Sequence, residues 1–240
     1  MKSCYEASED QSMSASEDQL KMAAAESAVA LVSDGMIVGL GTGSTATFAV
    51  ASLGRRVSEG LKIVGIPTSE RTATQARGLG IKLATLDQEP NVDLTIDGAD
   101  EVEEETLNLI KGRGGALLRE KIVASASKRL AIIVDESKIV SALAKHAAVP
   151  VEVVPFGWPS TARKIAGLGA KPALRLTSSG EPFVTDGSHY ILDCMCEPGT
   201  SAVQLAERLD HVVGVVEHGF FIGMTSEVHI AASGGVRVLK

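Results

Sequence analysis

The chain has 240 residues, a formal net charge of −7 and only 3% aromatic residues. Proteins that bind nucleic acids present clustered cations and base-stacking rings, so this composition excludes a nucleic-acid partner. No apolar run reaches the roughly 20 residues that cross a bilayer, and no membrane partner is expected.

Residues 1–19 differ in composition from the rest of the chain. They contain five serines and five acidic residues against one basic residue, Lys2. Such a segment buries too little apolar surface to offset the entropy of ordering, so we expect a disordered acidic tail. It resembles neither a secretory signal nor an organelle transit peptide. Three cysteines (Cys4, Cys194 and Cys196) are too few for a disulfide framework, which favours a cytoplasmic location.

Strands and helices alternate through residues 20–148. An N-cap cluster at Ser16-Glu17-Asp18 precedes an alanine-rich helix from Leu20 to Val32. The segments that follow predict strands over Met36–Leu40, Leu61–Ile66, Ile81–Leu83, Val92–Ile96 and Leu130–Val134, and helices over Thr45–Leu53, Glu70–Gly78 and Arg119–Ser127. This rhythm predicts an α/β fold with a parallel sheet covered on both faces.

The pattern changes after Pro150. Short apolar segments predict strands over Val151–Val154, Ala173–Leu176, Phe183–Val184 and Tyr190–Asp193, and longer segments between them predict helices over Pro159–Gly167 and Ser201–Leu209. Together they predict a small α+β lobe over residues 149–213 in a split βαβ arrangement. Residues 214–240 hold further strand candidates and are expected to return to the first sheet.

A glycine-rich turn, Gly39 to Thr45, follows the first strand and precedes a helix. The free N–H groups and partial positive charge of a helix N-terminus bind anions, and the hydroxyls of Thr42, Ser44 and Thr45 add donors, so the turn suits a phosphate group. The same residues satisfy a relaxed dinucleotide fingerprint with Glu70 as the ribose-binding acid, and a turn without a ligand is the structural alternative. The lysine of a Walker motif is absent.

Acidic residues follow the strand that ends at Ile96. Asp97 and Asp100 flank Gly98-Ala99, a pair small enough for a ligand to approach, at the edge where α/β sheets build their sites. The alternatives are an ordinary turn or a loose Mg²⁺ or Ca²⁺ site. The next acids are expected to form a solvated first helical turn, namely Glu101, Glu103, Glu104 and Glu105.

A loop of three glycines with two cations, Lys111 to Gly115, precedes a helix that contains Glu120. A cation that stabilises an oxyanion, beside a carboxylate that moves a proton, is what enolisation next to a carbonyl requires. The alternative is that the charges around Glu120 form ordinary surface pairs. Lys138, which follows the strand ending at Val134, is a further candidate for an anion contact.

Five motifs together make the chain resemble the type A family of ribose-5-phosphate isomerases. They are GLGTGSTA (39–46), IPTSERT (66–72), IDGADEV (96–102), IKGRGGALLREKIVA (110–124) and VDESK (134–138), in the family's order and spacing over residues 20–240. The family interconverts D-ribose 5-phosphate and D-ribulose 5-phosphate in the pentose phosphate pathway. The resemblance implies a Rossmann-like main domain with an inserted ferredoxin-like lobe, a homodimer or homotetramer, and no metal or other cofactor.

The resemblance also implies which residues act on the substrate, a pentose phosphate. Glu120 is expected to transfer the proton, Asp97 to assist ring opening and Lys111 to stabilise the oxyanion. The substrate-binding residues that it implies are Lys21, Thr42, Gly43, Ser44, Thr45, Asp97, Gly98, Ala99, Asp100, Lys111, Gly112, Arg113, Gly114 and Lys138. A sugar-phosphate sensor and a nucleotide-dependent oxidoreductase are the alternative classes, and the second would bind NAD(P).

Overall fold

Three β-sheets and six α-helices make up the described part of the chain, which is residues 16–145, 147–197 and 199–240 of a computed structural model. The helices are α1 (Glu17–Val29), α2 (Ser44–Ser58), α3 (Glu70–Gly78), α4 (Leu117–Ser125), α5 (Trp158–Ala166) and α6 (Ala202–Asp210). The strands are β1 (Ile37–Leu40), β2 (Val64–Pro67), β3 (Leu94–Asp97), β4 (Glu101–Glu103), β5 (Leu109–Ile110), β6 (Leu130–Asp135), β7 (Ile139–Val140), β8 (Val149–Val153), β9 (Ala170–Leu174), β10 (Tyr190–Cys196), β11 (Val215–His218), β12 (Phe220–Phe221), β13 (Glu227–Ala232) and β14 (Gly235–Leu239). The predicted α/β class is confirmed.

The main sheet has six strands in the order β14-β13-β6-β3-β1-β2. All neighbours are parallel except β13 and β14, which form an antiparallel pair at one edge. Strand β6 is buried along its whole length, as its apolar sequence predicted. The carboxyl ends of β1 and β3 lie side by side, with Leu40 opposite Ile96, and this places the glycine-rich turn next to Asp97.

The lobe carries an antiparallel sheet in the order β11-β8-β10-β9, with α5 and α6 as its connections. This is the ferredoxin-like arrangement of two interleaved βαβ units. The sequence predicted Phe183–Val184 as a strand of this lobe and the segment that contains β11 as a return to the main sheet. In the structure β11 is the fourth strand of the lobe, and Phe183–Val184 contributes only an isolated bridge from Val184 to Tyr190. Both segments are short and apolar, and the sequence does not reveal which distant strand each one pairs with.

A third sheet, in the order β12-β5-β4-β7, lies between the main sheet and the lobe and was not predicted. Its strand β4 contains Glu101 and Glu103, so the expectation of a solvated first helical turn there was wrong. Glu101 is 4% exposed, and its carboxylate accepts hydrogen bonds from the N–H groups of Ala144 and Ala147 at 2.8 and 3.0 Å. These bonds satisfy the buried carboxylate and explain why an acid-rich segment forms a strand.

Helix α1 begins at Glu17, three residues before the predicted start of the folded body. The hydroxyl of Ser16 accepts a hydrogen bond from the N–H of Gln19 at 3.3 Å, and the Gln19 side chain accepts one from the N–H of Ser16 at 2.7 Å. This capping box makes residues 17–19 of the predicted tail helical. Residues 1–15 of that tail lie outside the described residues. No helix in the described part of the chain is long and apolar enough to cross a membrane.

Candidate active site

The glycine-rich turn leads from β1 into α2 without a side-chain cap on the helix. Gly43 is the N-cap residue, with a φ of 131° that favours glycine, and no side chain there accepts a hydrogen bond from the first turn. The N–H groups at the start of α2 are therefore available to a ligand. Since a helix N-terminus carries partial positive charge, the ligand that suits it is an anion.

The turn is packed directly against Asp97 at the end of β3. One Asp97 oxygen, Oδ1, accepts hydrogen bonds from the N–H groups of Thr42 at 3.1 Å and Gly98 at 2.7 Å. A Cβ atom on Gly41 would lie 2.2 Å from the same oxygen, so only glycine fits at this position. The carboxylate and the turn therefore form one rigid unit.

The sequence predicted that the Thr42 hydroxyl would face the ligand, but in the structure it does not. It lies 2.7 Å from the Thr68 hydroxyl, 2.8 Å from that of Ser69 and 3.0 Å from that of Thr72. This buried cluster uses the hydroxyls of the IPTSERT motif to hold the turn in place. Within the described residues, the hydroxyls of Ser44 and Thr45 make no hydrogen bond to the protein, and they are the ones that can serve a phosphate.

Lys111, Asp97 and Glu120 form a buried charged cluster. The Lys111 Nζ lies 3.0 Å from Asp97 Oδ2 and 3.3 Å from Glu120 Oε2, and it donates to the Gly98 carbonyl at 2.6 Å. Each of the three side chains is at most 3% exposed. Helix α4 supplies Glu120 from its first turn, and the third sheet holds Lys111 through its N–H, which donates to the Gly219 carbonyl at 2.9 Å.

The electrostatics of this cluster separate the roles of its members. Burial raises the pKa of Glu120 to about 8, against the lowering effect of the Lys111 charge and with a further rise from the Asp97 charge. Burial alone would lower the pKa of Lys111, but the charges of Asp97, Glu120 and Asp100 raise it above its ordinary value. Lys111 is thus a permanent cation, and Glu120 is a carboxyl group able to exchange a proton near neutral pH.

A cavity of about 370 Å³ lies above the cluster, and nearly all the predicted residues line it. Those residues are Lys21, Thr42, Gly43, Ser44, Thr45, Gly98, Ala99, Asp100, Lys111, Gly112, Arg113, Gly114, Glu120 and Lys138. Asp97 is the exception, because it is 1% exposed and lies beneath Lys111 rather than on the wall. The sequence reasoning missed Glu17, Ala46 and Arg71, and Arg71 belongs to a motif that it had singled out.

Two other kinds of binding site were considered, a dinucleotide site and a metal site. Glu70, the candidate ribose-binding acid, forms an ion pair with Arg119 at 2.8 Å and lines a different groove from the glycine-rich turn. Among the described residues, the group that brings three potential metal ligands together is Asp210, Glu217 and His218, outside the cavity. There the ammonium of Lys121 lies 2.6 Å from the Glu217 carboxylate, so a protein cation already balances these acids.

Comparisons with known proteins agree on one family. Residues 64–235 match the family model described as ribose 5-phosphate isomerase A (phosphoriboisomerase A). Ribose-5-phosphate isomerase A of Synechococcus sp. is 56% identical over 94% of this chain and 99% of its own length, and that of Gloeobacter violaceus is 59% identical over 92% and 96%. The structure of ribose 5-phosphate isomerase A from Methanocaldococcus jannaschii superposes with a TM-score of 0.89 at 40% identity, covering 94% of this chain and 100% of the other. A D-ribose-5-phosphate isomerase in complex with phospho-erythronic acid gives a TM-score of 0.90 at 33% identity, covering 94% and 100%.

Proposed function

The chain belongs to the ribose 5-phosphate isomerase A family and is an isomerase that interconverts D-ribose 5-phosphate and D-ribulose 5-phosphate; we propose that it does so through an enediolate, with Glu120 as the proton-transferring group. The observation that carries this proposal is the buried cluster of Lys111, Asp97 and Glu120 at the base of a cavity that also contains an uncapped helix N-terminus. A proton carrier and an anion site then line one cavity.

The phosphate group binds at the start of α2 in this proposal. The backbone N–H groups there and the hydroxyls of Ser44 and Thr45 donate to it, and Lys21 and Lys138 add positive charge on the same cavity wall. Anchoring the phosphate fixes the sugar carbons over Glu120. Such positioning can lower the barrier by several kcal/mol, because the orientational entropy is lost on binding rather than in the reaction.

The proton transfer uses Glu120 and Lys111. In the direction from aldose to ketose, the Glu120 carboxylate takes the proton from C2 of the open-chain sugar and returns it to C1. The hydroxyl proton of O2 passes to O1 at the enediolate stage, so the carbonyl group moves from C1 to C2. The negative charge that develops on the carbonyl oxygen is stabilised by the Lys111 ammonium and by the N–H groups of Gly112 and Gly114. Asp100, whose Oδ2 accepts a hydrogen bond from the N–H of Arg113 at 2.9 Å, orients sugar hydroxyls with its other oxygen.

Asp97 has a positioning role in this proposal. Its Oδ1 already binds two backbone N–H groups, and its Oδ2 lies against Lys111. Its carboxylate therefore holds Lys111 charged and directed at the reacting oxygen. The direct part in ring opening that the sequence assigned to Asp97 would require Lys111 to move aside.

Replacement of Glu120 tests the proposed mechanism. Glu120→Gln keeps the shape of the side chain and removes the base, so we expect kcat for ribose 5-phosphate to fall by about 10²–10⁴-fold with KM changed less than about threefold. Glu105→Gln, at an exposed position outside the cavity, is the matched control and should leave kcat unchanged. Near-normal turnover by Glu120→Gln would refute the role of Glu120.

The same assay tests the expectation that no metal takes part. Turnover of ribose 5-phosphate should be equal before and after dialysis against EDTA, since the base and the electrophile are both side chains of this chain. A loss of activity that Mg²⁺ restores would contradict it. Titration with NAD(P) separates the isomerase from the oxidoreductase alternative, because only the latter would bind the nucleotide.

We further propose a cytoplasmic homo-oligomer, either a dimer or a tetramer. Phe156 is 95% exposed and Val213 is 80% exposed at the same end of the lobe sheet, and apolar side chains exposed to this extent are typical of subunit contacts. The free thiols of Cys194 and Cys196 are compatible with a reducing compartment. Sedimentation equilibrium of the full chain measures the number of subunits.

A further inference from the structure

Arg71 is the cation of the cavity to which neither the sequence motifs nor the proposed mechanism gives a role. We propose that its guanidinium binds the phosphate group of the substrate, as an anchoring residue additional to the start of α2. This inference rests on the proposed function, because it names a further contact of the same substrate in the same cavity.

Arg71 is fixed beside the glycine-rich turn by its neighbours in the chain. It is the second residue of α3, whose N-cap residue Ser69 accepts a hydrogen bond from the N–H of Thr72 at 3.1 Å. The side chains of Ser69 and Thr72, on either side of Arg71, both contact the Thr42 hydroxyl. The backbone of Arg71 is therefore tied to the turn that forms the proposed phosphate site.

The guanidinium reaches across the cavity towards the catalytic loop. A Cβ atom placed on Gly114 would lie 3.8 Å from Arg71 Nη2 and 3.9 Å from Thr42 Cγ2, so these two groups border the same small space. Arg71 is exposed, and within the described residues it forms no ion pair and donates no hydrogen bond. All its donors are thus available to a ligand.

The position of this charge is unfavourable without an anion. A cation in the first turn of a helix opposes the partial positive charge of the helix N-terminus, where acids are preferred. Glu70 precedes Arg71 but pairs with Arg119 instead, at 2.8 Å. An unpaired arginine at such a place is readily explained when a phosphate neutralises it, because the planar guanidinium can donate two parallel hydrogen bonds to phosphate oxygens.

Two of the other four cations of the cavity are already offset by carboxylates. Lys21 Nζ lies 2.5 Å from Glu17 Oε1, so a carboxylate on the cavity wall already offsets its charge. Lys111 is held by Asp97 and Glu120. Arg71 supplies positive charge that no acidic side chain of the described chain offsets by contact, and it does so on the side of the cavity that carries Thr42.

The test compares Arg71→Ala with Arg77→Ala, using inorganic phosphate and ribose 5-phosphate. Arg77 is an exposed arginine on the same helix, also without an ion pair in the described part of the chain, and it lines the neighbouring groove rather than this cavity. Both variants remove one positive charge, and only Arg71→Ala removes the proposed contact. Binding of inorganic phosphate is measured by its stabilisation of the folded protein against heat, and by its inhibition constant against ribose 5-phosphate.

For Arg71→Ala we expect the dissociation constant of phosphate and the KM of ribose 5-phosphate to rise by about 10-fold or more, with kcat within about twofold. Arg77→Ala should change each by less than about twofold at physiological salt. Arg71→Lys should recover part of the affinity. Equal phosphate affinity in the two alanine variants, or a fall in kcat with phosphate affinity unchanged, would overturn the role of Arg71.

The two proposals fail separately in this experiment. A wild-type protein that does not turn over ribose 5-phosphate refutes the proposed function. The thermal measurement with inorganic phosphate still decides whether Arg71 binds an anion, because it requires no turnover.

Discussion

At the scale of single residues, the site places two carboxyl groups around one ammonium, and all three groups are almost fully buried. Asp97 receives two backbone N–H groups and the Lys111 charge, whereas Glu120 Oε2 has no hydrogen-bond partner among the described residues apart from its 3.3 Å contact with Lys111. Burial raises the pKa of both carboxyl groups, and the Lys111 charge lowers both. Only at Asp97 do backbone N–H groups, those of Gly98 and Thr42, lower the pKa further. This asymmetry assigns the positioning role to Asp97 and proton transfer to Glu120.

The raised pKa of Glu120 predicts how the rate depends on pH. Glu120 acts as a base only when it is deprotonated, so kcat/KM for ribose 5-phosphate should rise with pH through a midpoint near 8, the pKa to which burial raises this carboxyl group. The second ionisation of the substrate phosphate lies near 6 and is complete before this midpoint. Asp97→Asn removes a negative charge that raises the pKa of Glu120, so its midpoint should lie at lower pH.

The measurement is kcat/KM from pH 6 to 10 at constant ionic strength, for the wild type and for Asp97→Asn. Glu105→Gln, which removes a negative charge outside the cavity, is the control and should keep the wild-type midpoint. A rate that is independent of pH between 7 and 9, or a midpoint that moves to higher pH in Asp97→Asn, would contradict the assigned electrostatics.

The residues that the sequence identified and those that it missed differ in a physical way. Lys111 and Glu120 follow from their spacing around a glycine loop and a helix start, which are local features. The direction of the Thr42 hydroxyl depends on its contact with Thr68, 26 residues away, and the access of Asp97 to the cavity depends on Lys111, so neither can be predicted locally. Arg71 was missed because its significance lies in the absence of a partner, which only the packed structure reveals.

At the scale of secondary-structure elements, long elements with a clear pattern were predictable and very short ones were not. The helix over Glu70–Gly78 and the buried strand β6 correspond to their predicted segments within one residue. Strands β5 and β12 have two residues each, too few to show a periodicity, and the sheet that they build was not predicted. That sheet holds Lys111, so the least predictable element positions one of the most predictable residues.

The pairing of strands was the other property of the elements that the sequence did not predict. Segment 215–218 was identified as a strand but assigned to the wrong sheet, because pairing is decided by contacts between residues far apart in the chain. Its partner, β8, precedes it by more than sixty residues, and the choice follows from α6, which returns the chain to the free edge of the lobe sheet. Such a choice belongs to the topology of the whole lobe.

At the scale of the whole molecule, net charge and local charge have opposite signs. The chain carries −7, yet the cavity presents five basic side chains, Lys21, Arg71, Lys111, Arg113 and Lys138. At physiological salt, exposed charges farther apart than about 8 Å are largely screened, so a phosphate in the cavity interacts mainly with these cations. The acidic composition excluded nucleic acid without excluding a small phosphorylated substrate.

The lobe contributes to the site by holding the catalytic loop from its outer side. Arg175, which directly follows β9, donates to the carbonyls of Gly112 and Arg113, both at 3.1 Å, and forms an ion pair with Asp193 on β10. The Phe183 ring packs so closely on Gly115 that a Cβ atom there would lie 2.5 Å from it. The loop that carries Lys111 is therefore held between the main domain and the lobe, and no described residue of the lobe lines the cavity.

This clamp predicts a distant effect of Arg175→Ala. The substitution removes both hydrogen bonds to the loop, each worth roughly 1.5–3 kcal/mol when the donor is charged, so we expect kcat/KM for ribose 5-phosphate to fall about 10-fold. The Gly115 N–H, which donates to the Gly112 carbonyl at 3.0 Å, should exchange with solvent faster in this variant, as hydrogen–deuterium exchange measures. Arg163→Ala, at an exposed position on α5 of the same lobe, is the control and should change neither quantity. If Arg175→Ala leaves both the exchange of the loop and the turnover at wild-type values, the lobe does not hold the catalytic loop in solution.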